Sequence, residues 1–469
     1  MIIATAGHVD HGKSALIKRL TGVDTDRLEE EKRRGLSIIL GYAYHRLPDA
    51  PPIGFIDVPG HHRFLNTMIA GVNGIDLAML VVAADDGLMP QTVEHLNVLR
   101  LLGVEDFLLV VSKIDRVEEG RIAEVEAQLR DLLSTHGLAQ CPLYRISNHT
   151  GDGVAGLLRF LEQRAQTQQP RQCHGLFRLS IDRSFHLKGV GLVVTGTVLA
   201  GRVSSGETLR LLPMDKNLRV RGIHVQDEPA QTAQAGQRCA LNLAGEVEKS
   251  HLQRGDWLVS PAAGPVTLRL DAEVEVLSEA GISLRHLAPL RMHIGARRVA
   301  GKLYLLGNSA GRRGLGGETG QLHAGESAWV QLILDQPICC VAGERFLLRD
   351  DSESLTLGGG QVLDPYAPKT GKRGAGRIEF LKCMQQGAPE QVLAALLNSR
   401  RPVDFSRFQA SFNLTAGEAE ALLSEKMHRF VERDQQWLIA QAPWRSLLEE
   451  IIQRMNHWHD GYPQQPGIR

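Results

Sequence analysis

The sequence predicts a multidomain protein with an α/β domain, two antiparallel β-barrels and a C-terminal α+β region. Three observations support this prediction. Residues 1–172 alternate apolar strand-like runs with helical patterns, residues 173–365 form short strands between glycine-rich turns, and residues 366–469 become mostly helical. Because a chain of 469 residues is too long for one hydrophobic core, we expect each change of pattern to mark a domain boundary.

The first domain, residues 1–172, is predicted to be a doubly wound parallel sheet. Near-continuous apolar runs at Ile53–Val58, Leu77–Ala83 and Phe107–Val111 are typical of strands that are buried on both faces. Glu119–His136 carries an apolar stripe at helical spacing, and a glycine follows it as a stop signal. In such a sheet the ligand site is expected at the carboxyl ends of the strands.

The middle of the chain is long enough for two barrels. Its strand-like segments recur at short intervals with turns between them, which is typical of antiparallel barrels. Ser260–Pro265 is the best candidate for a linker. We therefore expect the first barrel at residues 173–262 and the second at residues 263–365.

The C-terminal region, residues 366–469, has the outline of a winged helix. Its predicted parts are a basic linker at Pro368–Arg377, helices at Ile378–Gln386, Glu390–Ser399, Asp404–Ser411 and Ala416–Lys426, and a hairpin at Arg429–Ala440. Thr415 and Glu418 fit a capping box at the start of the recognition-helix position. Because this candidate helix is acidic, a helical packing domain that touches no nucleic acid is the alternative. Trp444–His459 is expected to begin a second unit.

The charge balance, the cysteine spacing and the apolar runs exclude some classes of protein. Lys+Arg and Asp+Glu both number 53, so the whole chain has no polybasic signature, and any nucleic-acid contact is expected to be local. The six cysteines show no zinc-ligand spacing, which favours a reducing compartment. Since the first strand starts at Met1 and no apolar run could span a bilayer, we expect a cytoplasmic protein that has no membrane partner.

A glycine loop between the first strand and the first helix predicts a nucleotide-binding P-loop. Its backbone N–H groups can surround a polyphosphate, Lys13 supplies a positive charge, and the hydroxyl of Ser14 is placed to ligate Mg²⁺. The alternative is an ordinary glycine turn, which the partner motifs described below make less favourable. The candidate nucleotide-binding residues of this loop are Gly7, Asp10, His11, Gly12, Lys13, Ser14 and Ala15.

Two further motifs follow later strands of the same domain. Asp57 ends an apolar strand, where it can hold Mg²⁺, and the N–H of Gly60 can sense the γ-phosphate. Ser112-Lys113-Ile114-Asp115 ends another strand, and the carboxylate of Asp115 can accept hydrogen bonds from N1 and N2 of guanine. The alternative for this motif is a charged surface turn. Ser147, in Ile146–Asn148, could reach the base edge. The sequence thus predicts an α/β P-loop GTPase domain.

The order of these motifs resembles that of the translational GTPases. The resemblance implies that His61 is catalytic and orients the attacking water, although a solvated loop residue beside His62 is the alternative. Arg34-Gly35-Leu36-Ser37-Ile38 resembles the family's switch I, normally Arg-Gly-Ile-Thr-Ile, which implies Ser37 as a third Mg²⁺ ligand. Ile39 departs from the family pattern, which usually has Asp at this position.

More specific segments resemble the selenocysteine-specific elongation factors, the SelB family. They are Leu40–Tyr44, Asp57–Phe64, Ile181–Phe185 and Lys188–Thr197. The resemblance covers nearly all of residues 1–460. It implies a GTPase domain, two barrels and a tandem of winged helices, of which this chain is expected to hold one and the start of a second, as a truncated array would.

The family resemblance also implies an aminoacyl pocket in the first barrel, formed by Asp182, Arg183 and Arg238. A selenol is largely ionised at neutral pH, so guanidinium groups favour selenocysteine over serine, and cysteine is the nearer competitor. The alternative is that these side chains form ordinary ion pairs at the barrel edge.

The predicted function is GTP-dependent delivery of selenocysteinyl-tRNA to the ribosome, where GTP hydrolysis is triggered. The implied cofactors are GTP/GDP and Mg²⁺, and the expected partners are selenocysteinyl-tRNA and the ribosome. Binding of an mRNA hairpin is expected to be weak or absent, and we expect a monomer. The alternatives are a general aminoacyl-tRNA carrier, a GTPase subunit of a sulfate-activating enzyme and a non-hydrolysing, GTP-bound RNA adaptor.

Overall fold

The computed structural model describes most of the chain, and the statements below concern that part. The described residues are 1–26, 29–34, 37–48, 51–61, 64–72, 74–138, 140–168, 173–247, 251–308, 320–399, 402–424, 427–432 and 435–461. Some residues of the motifs and segments named above lie outside the described residues, namely Gly35, Leu36, His62, Arg63, Glu425, Lys426, Arg433 and Asp434.

The first domain is a six-stranded sheet with helices on both faces. Its strands are Ile2–Ala6 (β1), Gly41–His45 (β2), Ile53–Asp57 (β3), Leu77–Ala83 (β4), Phe107–Ser112 (β5) and Leu143–Arg145 (β6). Its helices are Lys13–Thr21 (α1), Glu29–Arg34 (α2), Leu65–Gly71 (α3), Pro90–Leu101 (α4), Glu119–Thr135 (α5) and Val154–Thr167 (α6). The strand order is β2-β3-β1-β4-β5-β6, with β2 antiparallel to β3 and the other pairs parallel. The predicted doubly wound domain is confirmed.

Alternation along the strands produces two apolar clusters, one on each face of this sheet. In β1, for example, Ile2 and Ala4 belong to one cluster and Ile3 to the other. All strand residues of β1, β3, β4 and β5 are buried, as expected for strands covered on both sides. The carboxyl ends of these neighbouring strands meet at one edge, which brings the loops that follow them together.

The second body is a closed six-stranded barrel. Its strands are Arg178–Leu187 (β7), Gly191–Ala200 (β8), Arg202–Ser204 (β9), Thr208–Leu212 (β10), Lys216–Val225 (β11), Glu228–Ala230 (β12), Thr232–Gln234 (β13), Arg238–Ala244 (β14) and Trp257–Val259 (β15). The order β10-β15-β7-β8-β14-β11 closes through a β10–β11 pairing, while β12 extends from β11 and β9 pairs with β13.

The third body is also a closed barrel, with the order β16-β21-β19-β18-β22-β23. Its strands are Val266–Val276 (β16), Leu284–Arg285 (β17), Ala288–Ile294 (β18), Arg297–Asn308 (β19), Gln321–Leu322 (β20), Ser327–Cys339 (β21), Arg345–Arg349 (β22) and Thr356–Asp364 (β23). The small β17–β20 pair lies outside the ring. The predicted pair of barrels is therefore confirmed.

The C-terminal region combines helices with a three-stranded sheet of order β24-β26-β25. Its elements are Ala375–Met384 (α7), Pro389–Asn398 (α8), Val403–Asp404 (β24), Phe405–Ser411 (α9), Ala416–Ala421 (α10), Met427–Glu432 (β25), Gln435–Ala440 (β26) and Gln441–Gly461 (α11). The capping box at Thr415 and Glu418 is present. The candidate recognition helix is shorter than predicted, because Leu422 and Leu423 donate to carbonyls three residues back and tighten its end.

The start of α10 packs against the segment that precedes β7 of the first barrel. The carboxylate of Glu418 accepts a hydrogen bond from the N–H of Gly175 at 2.9 Å, and Asn413 Nδ2 donates to the carbonyl of Leu176 at 2.8 Å. This end of the helix therefore serves an internal contact between domains. No helix in the described part of the chain is both long enough and apolar enough to cross a membrane.

Candidate nucleotide and aminoacyl sites

The phosphate-binding loop connects β1 to α1. Gly7 has a φ of 135°, and a Cβ there would lie 2.2 Å from the carbonyl oxygen of Val81 on the adjacent strand, so only glycine fits. Nζ of Lys13, at the start of α1, donates to the carbonyl oxygens of Gly7 at 3.1 Å and His8 at 2.6 Å. The loop thus fixes an ammonium group at the amino end of a helix, an arrangement that suits a polyphosphate.

The remaining predicted residues of this loop lie around the lysine in different environments. Asp10 is exposed and has a φ of 62°, Gly12 caps α1, and Ala15 is exposed in its first turn. Burial lowers the pKa of Lys13 to about 8, although Asp57 and Asp10 oppose this. The ring of His11 is fully buried, which lowers its pKa to about 4. The imidazole ring of His11 is therefore neutral and packed inside the protein.

A buried histidine that no motif predicts is hydrogen-bonded to the phosphate-binding loop. Nδ1 of His95, on α4, accepts a hydrogen bond from the N–H of Gly7 at 3.1 Å. Burial lowers the pKa of His95 to about 3, so the ring stays neutral and can act as an acceptor. His95 was missed because 88 residues separate it from its partner, and a lone histidine on a helix carries no sequence signal.

The loop after β3 lies against the phosphate-binding loop. A Cβ on Gly60 would lie 2.5 Å from Nζ of Lys13 and 2.7 Å from the backbone nitrogen of Val9. Gly60 is therefore placed where a terminal phosphate held by Lys13 would meet it.

His61 follows Gly60 and is partly buried. Its ring centroid lies 6.0 Å from that of Phe64, whose N–H donates to the carbonyl of His61 at 2.8 Å. These contacts hold the predicted catalytic side chain, in the residue that follows Gly60, against Phe64. Its role in orienting water stays a prediction.

Oxygen atoms from three segments gather beside Lys13. Ser14 Oγ and Ser37 Oγ are 3.0 Å apart, and Ser37 Oγ donates to Asp26 Oδ1 at 2.8 Å. Asp57 is fully buried and accepts from Thr25 Oγ1 at 2.6 Å. Burial raises the pKa of Asp57, and hydrogen bonds from Thr25 and Ser14 oppose this increase. Hydroxyl and carboxylate oxygens are the donors that Mg²⁺ prefers, so the three predicted metal residues fit this ion.

The segment after α2 is held by a residue that the sequence did not single out. Glu31 is buried, and its Oε1 accepts hydrogen bonds from the N–H groups of Ile38 at 2.9 Å and Ile39 at 3.1 Å. The unusual Ile39 is thus anchored through its backbone. Thr25, Asp26 and Glu31 were missed because they lie in a stretch without a recognisable motif.

The guanine motif forms the turn after β5. Lys113 has a φ of 56° and its Nζ contacts Asp85 at 3.2 Å. Asp115 is exposed, and a hydrogen bond from Ser147 lowers the pKa of its carboxyl. The N–H of Ile114 donates to the carbonyl of Ile146 at 3.3 Å. The structure therefore brings the two predicted base-binding segments together and holds the Asp115 carboxylate in its ionised form.

Both base-binding segments also contact the phosphate-binding loop. Ser112 Oγ donates to the carbonyl of His11 at 2.7 Å, and Asn148 Nδ2 donates to the carbonyl of Gly12 at 3.1 Å. These two hydrogen bonds connect the predicted base-binding segments to the phosphate-binding loop.

The predicted aminoacyl residues lie where the first barrel directly contacts the GTPase domain. Arg238 donates to both carboxylate oxygens of Asp182, at 3.0 and 2.8 Å, and its guanidinium lies 3.8 Å from the ring centroid of Tyr42. Thr195 also donates to Asp182 at 2.5 Å. Asp182 therefore neutralises the positive charge of Arg238 within the protein. This arrangement agrees with the alternative that these side chains form an ordinary ion pair.

Arg183 is arranged differently. Its Nη2 donates to the carbonyl of Leu40 at 2.6 Å, just before β2. Leu40 lies three residues after Ser37, so the barrel contacts the segment that carries a predicted Mg²⁺ ligand. Use of this contact region as an aminoacyl pocket stays a prediction.

Comparison with known proteins identifies the class. The Elongation factor Tu GTP binding domain model matches residues 1–167, and the Elongation factor Tu domain 2 model matches residues 191–259. With the nucleotide site described above, these matches define a GTPase of the translation-factor class.

More specific matches identify the family. The model of the β-barrel domain of selenocysteine-specific elongation factor matches residues 271–369. The chain is 38% identical over 469 residues to the selenocysteine-specific elongation factor of Escherichia coli (strain K12), covering 100% of this chain and 72% of that protein. It is 38% identical over 397 residues to the one from Desulfomicrobium baculatum, covering 85% and 61%. The chain belongs to the family of selenocysteine-specific elongation factors.

A solved structure agrees with this assignment. The crystal structure of bacterial selenocysteine-specific elongation factor EF-Sec superposes with a TM-score of 0.78 at 28% identity, covering 98% of this chain and 73% of that chain. Guanine-nucleotide binding and GTPase activity follow from the family.

Proposed function

We propose that this GTPase delivers selenocysteinyl-tRNA to the ribosome and hydrolyses GTP there. The observation that carries the proposal is the direct contact of Leu40 and Tyr42, which follow the predicted Mg²⁺ ligand Ser37, with the predicted aminoacyl residues of the first barrel. A change at the terminal phosphate can reach the predicted aminoacyl residues through this contact.

In this proposal the residues around the phosphates promote GTP hydrolysis mainly by positioning the reacting groups and by neutralising their charge. Ser14, Ser37 and Asp57 would hold Mg²⁺, which neutralises phosphate charge when bound. Lys13 binds the phosphate oxygens, Gly60 senses the terminal phosphate, and His61 orients the attacking water.

The domain division at residues 173, 263 and 366, a monomeric state and a cytoplasmic location remain part of the proposal. RNA binding by α10 is not part of it, because Glu418 already engages Gly175. The ribosome and selenocysteinyl-tRNA are the proposed partners, and strong binding of an mRNA hairpin by this chain is not expected.

Filter binding in the presence of a GTP analogue tests the proposal. We expect selenocysteinyl-tRNA to bind more tightly than seryl-tRNA and cysteinyl-tRNA, while a general carrier would show no such preference. Single-turnover hydrolysis with and without ribosomes provides the second test. Equal rates in the two conditions would favour the adaptor alternative.

A further inference from the structure

The turn between β6 and α6 brings to the nucleotide site a side chain that no motif predicts. Asn148 follows Ser147 in this turn and is partly buried. Its Nδ2 donates to the carbonyl of Gly12 at 3.1 Å, and a Cβ on Gly12 would lie 3.0 Å from the same nitrogen. The amide of Asn148 therefore lies directly against the residue that caps α1, where the phosphate-binding loop ends.

Ser112, the first residue of the predicted guanine motif, has no donor left for a base. The residue is fully buried. A hydroxyl carries a single hydrogen, and that of Ser112 is directed to the carbonyl of His11 at 2.7 Å. Ser112 therefore acts on a bound nucleotide only through the phosphate-binding loop, as a positioning residue.

Ser147, the other predicted base-binding serine, is also fully engaged by its neighbours. Its N–H donates to the carbonyl of Asp152 at 3.0 Å, and its carbonyl accepts from the N–H of Gly151 at 2.9 Å. Its hydroxyl accepts from the N–H of Thr150 at 3.0 Å and is hydrogen-bonded to the carboxylate of Asp115. Both donors of Ser147 are therefore already used within the protein.

Asn148 differs from both serines because it keeps unused donors. In the part of the chain that the structure describes, its backbone N–H has no hydrogen-bond partner, and its side-chain amide uses only one of two N–H bonds, on Gly12. The amide oxygen is buried and has no partner among the described residues either. Because a buried acceptor without a donor destabilises a fold, packing of the protein does not by itself explain this amide.

The unused donors of Asn148 match the acceptors of a guanine base. Guanine carries two neighbouring acceptors, O6 and N7. The carboxylate of Asp115, predicted to bind N1 and N2, cannot donate to either of them. Asn148 directly follows the serine that is hydrogen-bonded to Asp115, so its two free N–H donors lie beside the predicted position of the base.

We propose that Asn148 is a base-binding residue of the nucleotide site. Its side-chain amide bridges the carbonyl of Gly12 and N7 of guanine, and its backbone N–H donates to O6. Ser112 holds the phosphate-binding loop in place for this contact. The ligand class is a guanine nucleotide, so the inference rests on the GTP-binding part of the proposed function and is independent of tRNA delivery.

The test measures equilibrium binding of GDP and of 7-deaza-GDP, which lacks the N7 acceptor, to the full chain without tRNA or ribosomes. We expect the unsubstituted chain to bind GDP about five- to tenfold more tightly. In Asn148→Ala the two affinities should agree within about twofold. Asn148→Asp keeps the shape but removes the amide donors, so it should lose the preference as well. Asn217→Ala, at an exposed asparagine on β11, is the matched control and should keep it.

The ratio of the two affinities separates a base contact from a purely structural role. If both Asn148 variants bind each nucleotide more weakly but keep the preference for GDP, the amide only holds the loop at Gly12 and the proposal is overturned. Equal binding of GDP and 7-deaza-GDP by the unsubstituted chain would also overturn it. ADP binding as tight as GDP binding in the unsubstituted chain would instead refute guanine recognition, on which the proposed function depends, so the two failures are distinguishable.

Discussion

A methyl group added at Gly60 should separate GTP binding from GDP binding. In Gly60→Ala the new Cβ would lie 2.5 Å from Nζ of Lys13, 2.7 Å from the nitrogen of Val9 and 2.8 Å from the carbonyl carbon of His8. Two of these atoms are backbone, and the lysine is held by two carbonyls. The loop after β3 must therefore move away from the phosphate-binding loop.

Overpacking of this kind costs about 1–3 kcal/mol. The cost should fall on the GTP complex, because only a γ-phosphate requires Gly60 to approach Lys13. At 1.4 kcal/mol for each factor of ten, we expect GTP affinity to fall by roughly 5-fold to 150-fold relative to GDP affinity.

The assay is equilibrium binding of fluorescent GDP and of a non-hydrolysable GTP analogue, with the ratio of the two dissociation constants as the result. Gly156→Ala on α6 is the matched control, because no atom lies within 4 Å of its new Cβ. Equal losses for both nucleotides, or an unchanged ratio, would refute the reasoning about Gly60.

Four other predictions concern single groups. Asp115→Asn should shift preference towards xanthosine nucleotides, measured by competition binding, and unchanged GTP affinity would count against the guanine assignment. His61→Ala should bind GTP normally but lose ribosome-stimulated turnover, whereas unaltered turnover would exclude the catalytic role. Glu418→Ala keeps the bond from its own N–H to the Thr415 side chain but removes the hydrogen bonds that its carboxylate accepts from the N–H groups of Thr415 and Gly175, so thermal unfolding should show a loss of about 1 kcal/mol, which the exposed control Glu420→Ala should not show. Because the pKa of Lys13 is lowered to about 8, its charge is lost as pH rises through that value, and GTP affinity should fall above about pH 8 by up to about tenfold per unit; pH-independent affinity from about pH 7 to about pH 9 would contradict this.

The phosphate and base motifs could be predicted from the sequence because parallel strands order their own loops. Lys13 follows β1, Asp57 ends β3 and Ser112 ends β5, and adjacent strand ends meet at one edge of the sheet. Local patterns set these positions, so the sequence alone was sufficient to predict that the motifs lie at this edge of the sheet.

The supporting residues could not be found in the same way. Thr25 bonds to Asp57 and His95 bonds to Gly7, but each pair is distant in sequence and neither side chain belongs to a motif. The predicted aminoacyl residues show a related limit. Sequence resemblance placed Asp182 near Arg238 but gave no information on whether they neutralise each other, because ion pairing depends on side-chain geometry.

The two hydrogen bonds from Ser112 and Asn148 have a mechanical consequence for the nucleotide site. Each ends on a carbonyl of the phosphate-binding loop, at His11 and at Gly12. A shift of the base-binding turn therefore moves the carbonyls next to Lys13, and a shift of the phosphates moves the turn that carries Asp115. The predicted base-binding segments are in this way hydrogen-bonded to the phosphate-binding loop, so we expect a base that fits poorly also to weaken binding of the phosphates.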